Sequence, residues 1–253
     1  MDPAPEPFRA LAAREGLAEL GARYGLGADA VERLEVFARL LSGDPLAPTS
    51  VRDPARVLED HLADSLIALE LECVRSATSA VDIGSGAGLP GLPLAITLPR
   101  CSFILLESSS RKCSFLHRAI DACSVDNAEV VQARAEEWEA GLGWCDVALV
   151  RAVGRLDVVL EYAAPLMRVG GWLVAWRGQR DPEAEVEAEI AAVELGLQPE
   201  QGRRVLPYEG ARQRHLHLFS KVRDTPSRFP RRPGMATKRP LGISGARGRR
   251  STR

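Results

Sequence analysis

Residues 80–94 read Ala80-Val-Asp-Ile-Gly84-Ser-Gly-Ala-Gly-Leu-Pro-Gly-Leu-Pro-Leu94, and this stretch decides the fold. Ala80–Ile83 is a short apolar run of the kind that forms a buried strand, and glycines follow it at positions 84, 86, 88 and 91. Glycine adopts positive φ without strain and lets a ligand come close to backbone N–H groups. A strand that leads into such a turn and then into a helix predicts a site for a nucleoside-bearing cofactor.

Glu107 ends the next apolar run, where its carboxylate can accept hydrogen bonds from a ribose diol. The glycine turn also has the GxGxxG spacing of nicotinamide-binding proteins. Leu89, Pro90 and Pro93 argue against that class, because they crowd the helix start and remove N–H groups that a diphosphate needs. S-adenosylmethionine has no diphosphate, so it is the favoured cofactor, and NAD(P) stays open as the alternative.

The remaining pattern predicts an α/β, Rossmann-like fold with a mostly parallel seven-stranded sheet. Strands are predicted at 80–83, 102–107, 129–132, 146–150, 171–176, 203–207 and 216–222. Helices are predicted at 8–24, 28–41, 54–71, 89–98, 111–123, 155–168 and 182–195. The last two strands have no strong helix between them, so we expect them to pair as an antiparallel hairpin at one sheet edge.

The composition is that of an ordinary globular protein, with 253 residues of which 45 % are hydrophobic. No apolar run is long enough to cross a membrane, and the first residues lack an apolar signal core, so we expect a cytoplasmic protein without a membrane partner. The five cysteines have no CxxC spacing, and we expect no metal.

Charge is distributed unevenly along the chain, although the net charge is −1. Residues 226–253 contain nine basic and no acidic side chains, against 24 basic and 34 acidic ones in the rest. This segment is rich in Pro, Gly and Arg and cannot fold alone, while its charge suits phosphates. It is either an RNA-binding arm or a solubilising tail. We therefore predict an N-terminal helical extension (1–72), a cofactor-binding core (73–225) and a basic tail (226–253).

Two loops after later strands hold further candidate residues. Ala135 and Glu136 follow the third strand, where a backbone N–H and an acceptor could edge an adenine; acids in a plain helix start are the simpler alternative. Arg151 follows the fourth strand, and its cation can contact a carboxylate, a phosphate or a guanine O6, unless it forms an ordinary surface ion pair. No Asn/Asp-Pro-Pro-aromatic or Pro-Cys motif follows that strand, which argues against amine and pyrimidine C5 methylation.

The third predicted helix contains His61-Leu-Ala-Asp64-Ser65, whose polar residues fall near one face at spacings of three and four. Taken alone, this pattern is typical of a polar helix face with a satisfied histidine. Its place just before the cofactor strand indicates a second possibility, that the helix folds back to close the pocket.

Together these motifs resemble the bacterial 16S ribosomal RNA guanine-N7 methyltransferases, long called glucose-inhibited division protein B. The resemblance covers roughly residues 30–241 and rests on His61-x-x-Asp-Ser65, Asp82–Gly91 with Leu92–Ala95, Glu107 with Arg111-Lys112 and Phe115-Leu116, Arg134-Ala-Glu136, Arg151-Ala-Val153, Gly170-Gly171, Pro230–Gly234 and Lys238-Arg-Pro240. Two departures are visible: Leu89 replaces an aromatic residue, and Leu46–Ser50 replaces Asn-Leu-Thr. The Arg247–Arg253 run lies outside the resemblance.

The resemblance implies a class I methyltransferase that uses S-adenosylmethionine, releases S-adenosylhomocysteine and methylates N7 of guanine 527 in 16S rRNA. Its partner would be 16S rRNA or a 30S assembly intermediate, and the protein is expected to be a monomer. By resemblance, the methyl-donor contacts fall on Gly84, Leu89, Ala135, Glu136 and Arg151. The glycine turn adds Gly86 to this set, and the end of the next apolar run adds Glu107.

Guanine N7 has an in-plane lone pair and no proton, so the expected displacement needs alignment more than a base. The guanine gains positive charge, which a carboxylate can stabilise. Arg151 and Asp64 are the candidate catalytic residues. The rival functions are an RNA-binding protein with a vestigial cofactor pocket, a small-molecule methyltransferase and a nicotinamide oxidoreductase.

Overall fold

The computed structural model of the protein describes residues 6–243, with side chains from residue 14 to residue 242. The Arg247–Arg253 run therefore lies outside the described residues. The chain divides into two compact units. The first is drawn from Met1–Ser76, Ser85–Gln132 and Leu206–Ala211, and the second from Ala77–Gly84, Ala133–Val205 and Arg212–Arg253. In the described part of the chain, no helix has the length and apolar character needed to span a membrane.

The first unit begins with helices, as predicted. They are α1 (Glu6–Tyr24), α2 (Ala28–Gly43), α3 (Pro54–Val57), α4 (Asp64–Leu66) and α5 (Glu72–Arg75). Asp53 caps α3 by accepting from the backbone N–H groups of Ala55 and Arg56, and Pro54 occupies the first helical position. The single helix predicted over 54–71 is wrong in detail, because a π-helical turn at Leu58–Ala63 and a 3₁₀ turn at Ile67–Glu70 interrupt it.

The first unit also contains α6 (Gly91–Thr97), β2 (Ser102–Glu107), α7 (Ser110–Ala122) and β3 (Ala128–Gln132). Strands β2 and β3 pair in parallel, with Phe103 opposite Ala128 and Glu107 opposite Gln132. Leu105 and Leu106 of β2 are buried. Because Glu107 is the last residue of its strand, the apolar run ends with an acidic side chain at the carboxyl end of β2, as the sequence predicts.

The described part of the second unit contains the other strands and three helices. Its strands are β1 (Ser79–Ile83), β4 (Cys145–Arg151), β5 (Met167–Arg177), β6 (Leu197–Pro199), β7 (Arg203–Arg204) and β8 (His215–Lys221). Its helices are α8 (Leu156–Ala163), α9 (Pro182–Leu195) and α10 (Met235–Lys238), with 3₁₀ turns at Ala135–Glu137, Glu139–Gly141, Ala164–Leu166 and Leu241–Ile243. The strands follow the order β1-β4-β5-β8-β6, and β7 pairs with β8. The pairs β1–β4 and β4–β5 are parallel, and all pairs that involve β8 are antiparallel.

The predicted α/β class with a mostly parallel sheet is confirmed, but seven strands is wrong: the described residues form eight. The missed strand is β6, which has only three residues and cannot show an alternating pattern. Strand β5 begins at Met167 instead of 171, because α8 ends at Ala163 and a 3₁₀ turn follows it. The predicted antiparallel pairing of the last two predicted strands is confirmed, with Arg203 opposite Leu216. Their placement at a sheet edge is wrong for β8, which lies between β5 and β6, and β7 spans only Arg203–Arg204.

Candidate functional site

The glycine turn of the first unit is closed by its own backbone. The N–H groups of Gly88 and Leu89 donate to the carbonyl of Ser85 at 2.7 and 3.0 Å. Gly86 and Gly88 have φ of +58° and +86°. A Cβ on Gly88 would lie 3.2 Å from Cδ2 of Leu116, so the turn needs glycine there both for its backbone conformation and for space.

Glu107 holds this turn through its carboxylate. Oε2 accepts from the backbone N–H of Gly86 at 3.1 Å, and Oε1 accepts from the backbone N–H of Ser109 at 2.9 Å. The side chain is buried, and Lys112 Nζ lies 3.7 Å from Oε2. A carboxylate has about four lone-pair directions, and these two backbone bonds use two of them. Glu107 thus keeps acceptor capacity for a pair of hydroxyls.

The start of α6 is poorly suited to a diphosphate. The Leu92 N–H donates to the Gly88 carbonyl at 2.8 Å, and the Leu94 N–H donates to the Pro90 carbonyl at 3.3 Å. Pro93 between them has no N–H. A phosphate group requires free donors at a helix N-terminus, and these positions do not offer them. The geometry therefore agrees with a cofactor that carries a ribose but no diphosphate.

In the second unit, Gly84 lies against the loop that follows β4. Gly84 has φ +73°, and a Cβ at this position would lie 2.9 Å from Cγ2 of Val153. The same loop contains Ala152 at φ +57°, a conformation that residues with a Cβ seldom adopt. Such strained positions cluster where a ligand is held. Gly84 and the loop after Arg151 are therefore neighbours, as the pairing of β1 with β4 requires.

Arg151 is half-buried at the end of β4. A second arginine of this unit, Arg177, is the last residue of β5 and was not among the predicted site residues. Its Nη1 donates to the Gly154 carbonyl at 2.7 Å, while its buried Nε and Nη2 have no hydrogen-bond partner among the described residues. Burial lowers the pKa of this guanidinium. In the sequence Arg177 directly follows an apolar strand, which is the same pattern that pointed to Arg151.

Ala135 and Glu136 lie in the 3₁₀ turn after β3, where Ala135 is buried and Glu136 half-buried. The Glu136 carboxylate accepts from the backbone N–H of Gly234 at 3.0 Å. This side chain therefore holds the distant C-terminal part of the chain, which leaves the backbone of the turn as the part that can face a ligand. The sequence offered no sign of the contact with Gly234.

In the His61–Ser65 motif of the first unit, His61 lies in the π-helical turn, while Asp64 and Ser65 follow directly in α4, and all three polar residues are buried. His61 Nε2 hydrogen-bonds Thr49 Oγ1 at 2.8 Å, and Ser65 donates to the His61 carbonyl at 2.6 Å. The satisfied-histidine interpretation thus has direct support. π-helical turns occur frequently at functional sites, so the position of Asp64 keeps its interest.

A cavity of about 830 Å³ in the first unit includes none of the predicted residues. It is lined by Arg23, Arg33, Arg75 and Arg100, together with the loop that enters the amino end of β2. Glu107 lies at the opposite, carboxyl end of that strand. Because open α/β proteins bind ligands at carboxyl strand ends, the residues around Glu107 fit a cofactor site better than this cavity does.

All five cysteines are free, and four of them are buried. Burial raises the pKa of the Cys123 thiol to about 12, so it stays protonated at neutral pH. In the part of the chain that the structure describes, no three His, Cys, Asp or Glu side chains gather in a way that could hold a metal ion.

Comparison with solved structures identifies the fold. A SAM-dependent methyltransferase from Aquifex aeolicus is similar with a TM-score of 0.53 at 16 % identity, over 67 % of this chain and 94 % of the other. Mitomycin 7-O-methyltransferase MmcR is similar with a TM-score of 0.55 at 20 % identity, over 87 % of this chain and 69 % of the other. At these identities the likeness shows the fold alone. The predicted Rossmann-like methyltransferase fold is thereby confirmed.

Sequence relatives identify the family. The ribosomal RNA small subunit methyltransferase G of Rubrobacter xylanophilus is 42 % identical over 82 % of this chain and 82 % of its own length. The protein of the same name from Carboxydothermus hydrogenoformans is 33 % identical over 87 % of this chain and 96 % of its own length. A family profile described as rRNA small subunit methyltransferase G matches residues 34–215. On these grounds the chain belongs to the rRNA small subunit methyltransferase G family.

Proposed function

We propose that this protein transfers the methyl group of S-adenosylmethionine to N7 of a guanine in 16S rRNA, guanine 527 by resemblance. The observation that supports S-adenosylmethionine as the methyl donor is the position of the Glu107 carboxylate. It is buried, it accepts a hydrogen bond from the glycine turn, and it can still accept hydrogen bonds from two hydroxyls. The relatives' names, which specify RNA of the small ribosomal subunit, support the acceptor.

The donor contacts follow from the local geometry. Glu107 would accept the ribose hydroxyls, and the turn at Gly86 and Leu89 would pack against the amino-acid end. In the second unit, Gly84 has no side chain that would block a ligand, and the backbone of Ala135 and Glu136 would edge the adenine. When bound, S-adenosylmethionine supplies an electrophilic methyl on its sulfonium. Leu89 is buried and provides an apolar contact without the stacking of an aromatic ring.

The acceptor base requires orientation and charge compensation, not deprotonation. Arg151 can hold a phosphate or guanine O6 by its planar donors. Arg177 adds two donors with no hydrogen-bond partner among the described residues, at the end of the adjacent strand β5. A guanidinium edge of this kind matches two phosphate oxygens. Asp64 is the candidate for stabilising the positive charge that the guanine gains.

Incubation of the protein with labelled methyl donor and unmethylated 16S rRNA tests the proposal. Label should appear on a guanine N7, and mapping the base should give position 527. The same assay on free rRNA, 30S assembly intermediates and complete subunits identifies the substrate particle. Label on an exocyclic nitrogen or a ribose would contradict the N7 assignment.

Calorimetry with S-adenosylhomocysteine separates an enzyme from an RNA-binding protein with a vestigial pocket. Binding heat is expected for the enzyme, and its absence would favour the second function. If label enters small metabolites while 16S rRNA stays unlabelled, the protein is a small-molecule methyltransferase. Sedimentation in the presence and absence of RNA checks the proposed monomer.

A further inference from the structure

The described part of the basic tail, residues 226–243, is packed onto the second unit; we call it the C-terminal segment. Phe229, Ala236 and Leu241 of this segment are buried. Its helix α10 packs on α8, and its last turn packs on α9. A Cβ on Gly242 would lie 2.4 Å from the carbonyl oxygen of Glu187, so this contact with α9 is close. The segment is therefore held by specific contacts and not only by its charge.

The strongest of these contacts joins Arg231 to Glu161 on α8. Nε and Nη2 of Arg231 lie 2.7 and 2.5 Å from Oε1 and Oε2 of Glu161, a bidentate pair. The Glu161 side chain is only 1 % exposed, and Nη2 of Arg231 also donates to the Arg239 carbonyl at 2.9 Å. A buried carboxylate that lost this partner would carry an uncompensated charge. The pair therefore fixes where the C-terminal segment meets α8.

A second contact reaches the turn assigned to the adenine. Gly234 lies three residues after Arg231, at the start of α10, and donates its N–H to Oε1 of Glu136 at 3.0 Å. The Ala135–Glu137 turn also packs on α8, the helix that carries Glu161. The side chain of Tyr162 on α8 hydrogen-bonds Thr237 at 3.3 Å. The turn, α8 and the C-terminal segment thus form one connected cluster within the second unit.

We propose that the C-terminal segment is a clasp that positions the Ala135–Glu137 turn for the methyl donor. In this role Arg231 and Gly234 are positioning residues: Arg231 anchors the segment on Glu161, and Gly234 then holds the Glu136 carboxylate. Glu136 serves the site through its side-chain contact with Gly234, while its backbone faces the ligand. The inference rests on the proposed function, since it takes this turn as the adenine contact.

The first test measures S-adenosylhomocysteine affinity by calorimetry on the full chain, at a temperature where thermal unfolding shows each variant to be folded. Arg231→Ala and Glu161→Ala are each expected to weaken binding about tenfold, an effect typical of one lost positioning contact. Glu194→Ala is the matched control, because Glu194 on α9 binds Arg228 of the same segment in an exposed ion pair at 3.0 Å. It should keep wild-type affinity.

The second test separates positioning from direct contact at Glu136. Glu136→Ala should weaken binding about tenfold, while Glu136→Gln should keep affinity, because an amide oxygen can still accept from Gly234. A carboxylate that touched the donor through its charge would lose as much affinity in the Gln variant as in the Ala variant. This comparison does not depend on whether Arg231→Ala folds.

The third test combines the two substitutions. If Arg231 acts through Glu136, the double variant Arg231→Ala/Glu136→Ala should bind about as weakly as either single variant, roughly tenfold below wild type. Additive losses, wild-type affinity in Arg231→Ala, or equal losses in both Glu136 variants would overturn the clasp. If the wild-type protein binds no S-adenosylhomocysteine, the proposed function fails first, and the two failures are therefore distinguishable.

Discussion

Glu107 and Glu136 are two carboxylates assigned to the same proposed cofactor, yet their side chains are held in different ways. Glu107 accepts from Gly86 and Ser109, which lie 21 and 2 residues away along the chain. Glu136 accepts from Gly234, which lies 98 residues away. The first carboxylate stabilises its own loop, and the second ties its loop to a remote segment.

The difference bears on what each residue can do for a ligand. Both oxygens of Glu107 are bound to backbone donors on one side, which fixes the carboxylate and leaves its other lone pairs in place for hydroxyls. Only one oxygen of Glu136 accepts in this way, and the strength of that contact depends on how firmly Arg231 anchors the C-terminal segment. One site is organised locally, while the other depends on tertiary packing.

The largest effect is expected from truncation after Thr225, which removes the clasp. The buried contacts of Phe229, Ala236 and Leu241 and the Arg231–Glu161 pair would be lost together, so the free energy of unfolding should fall by roughly 3–5 kcal/mol. Urea denaturation measures this loss, and S-adenosylhomocysteine affinity should fall with it. Unchanged stability would show that the segment is not part of the fold of the second unit.

Truncation after Ile243 is the matched control, because it keeps the Arg231–Glu161 pair and the Gly234–Glu136 contact. It should leave stability and donor affinity intact. Since it deletes Arg247, Arg249, Arg250 and Arg253, it should flatten the salt dependence of RNA binding if the tail contacts phosphates. If RNA affinity has the same salt dependence in the truncated and wild-type proteins, the charge of the tail serves solubility and not RNA binding.

Substitution of Glu107 gives the next largest effect and sharpens the contrast with Glu136. Glu107→Ala leaves two backbone N–H groups unpaired and removes the ribose acceptor, so donor affinity should fall about 100-fold. Glu107→Gln should not restore it, because its NH₂ group would face the N–H of either Gly86 or Ser109. Calorimetry with S-adenosylhomocysteine measures both variants, and rescue by Gln would show that the two carboxylates act alike.

Arg151→Ala should reduce kcat/KM for RNA about tenfold while thermal unfolding stays unchanged, because a phosphate or base contact is lost from a half-buried position. Unlike the clasp variants, it should act on the RNA step more than on donor affinity. Single-turnover methylation of 16S rRNA separates an effect on the RNA step from an effect on donor affinity. Unchanged turnover would remove Arg151 from the site.

The last prediction concerns the pH dependence of stability at Lys221, which lies shortly before the C-terminal segment in the chain. Lys221 is buried and donates to the Ala164 carbonyl and to Thr225 Oγ1. Burial lowers its pKa to about 8, with Asp224 and Cys145 nearby acting in the opposite direction. Between about pH 8 and the ordinary lysine pKa of about 10.4, the unfolded chain binds a proton that the folded chain does not, so this group makes stability rise with pH.

The difference in unfolding free energy between wild type and Lys221→Met isolates this contribution, since other titrating groups cancel. Its slope should approach about 1.4 kcal/mol per pH unit in that window, and it should be flat below about pH 7. A difference that stays flat through this window would show that Lys221 is not desolvated in the folded protein.

Local features were predictable because their physics is local. Asp53 and Pro54 mark a helix start by side-chain capping and a fixed φ, and the structure has that start. Gly86, Gly88 and Glu107 lie within one strand–turn–strand unit, where spacing alone brings a carboxylate to a glycine turn. The π-helical turn at Leu58–Ala63 escaped prediction, because apolar spacing does not distinguish it from an ordinary helical turn.

The basic tail shows the limit of composition as a guide. Its charge and its few large apolar groups predict a segment that cannot fold alone, and in the structure residues 226–243 pack on the second unit. What composition could not show is that Phe229 is buried and that Arg231 pairs with Glu161 on a helix of the second unit. Arg177 follows an apolar strand as Arg151 does, but only the structure shows that its Nε and Nη2 are buried without a hydrogen-bond partner among the described residues.

The sequence by itself determined the α/β class, the glycine turn, the acid at the end of β2 and, through its motifs, the family. These depend on hydrophobic periodicity, on glycine's freedom at positive φ and on short spacings, all of which are written in consecutive residues. Only the tertiary structure decided that Glu136 is held by Gly234 and Glu161 by Arg231. Those contacts join residues far apart in the chain, and the packing of whole helices brings them together without a local signal.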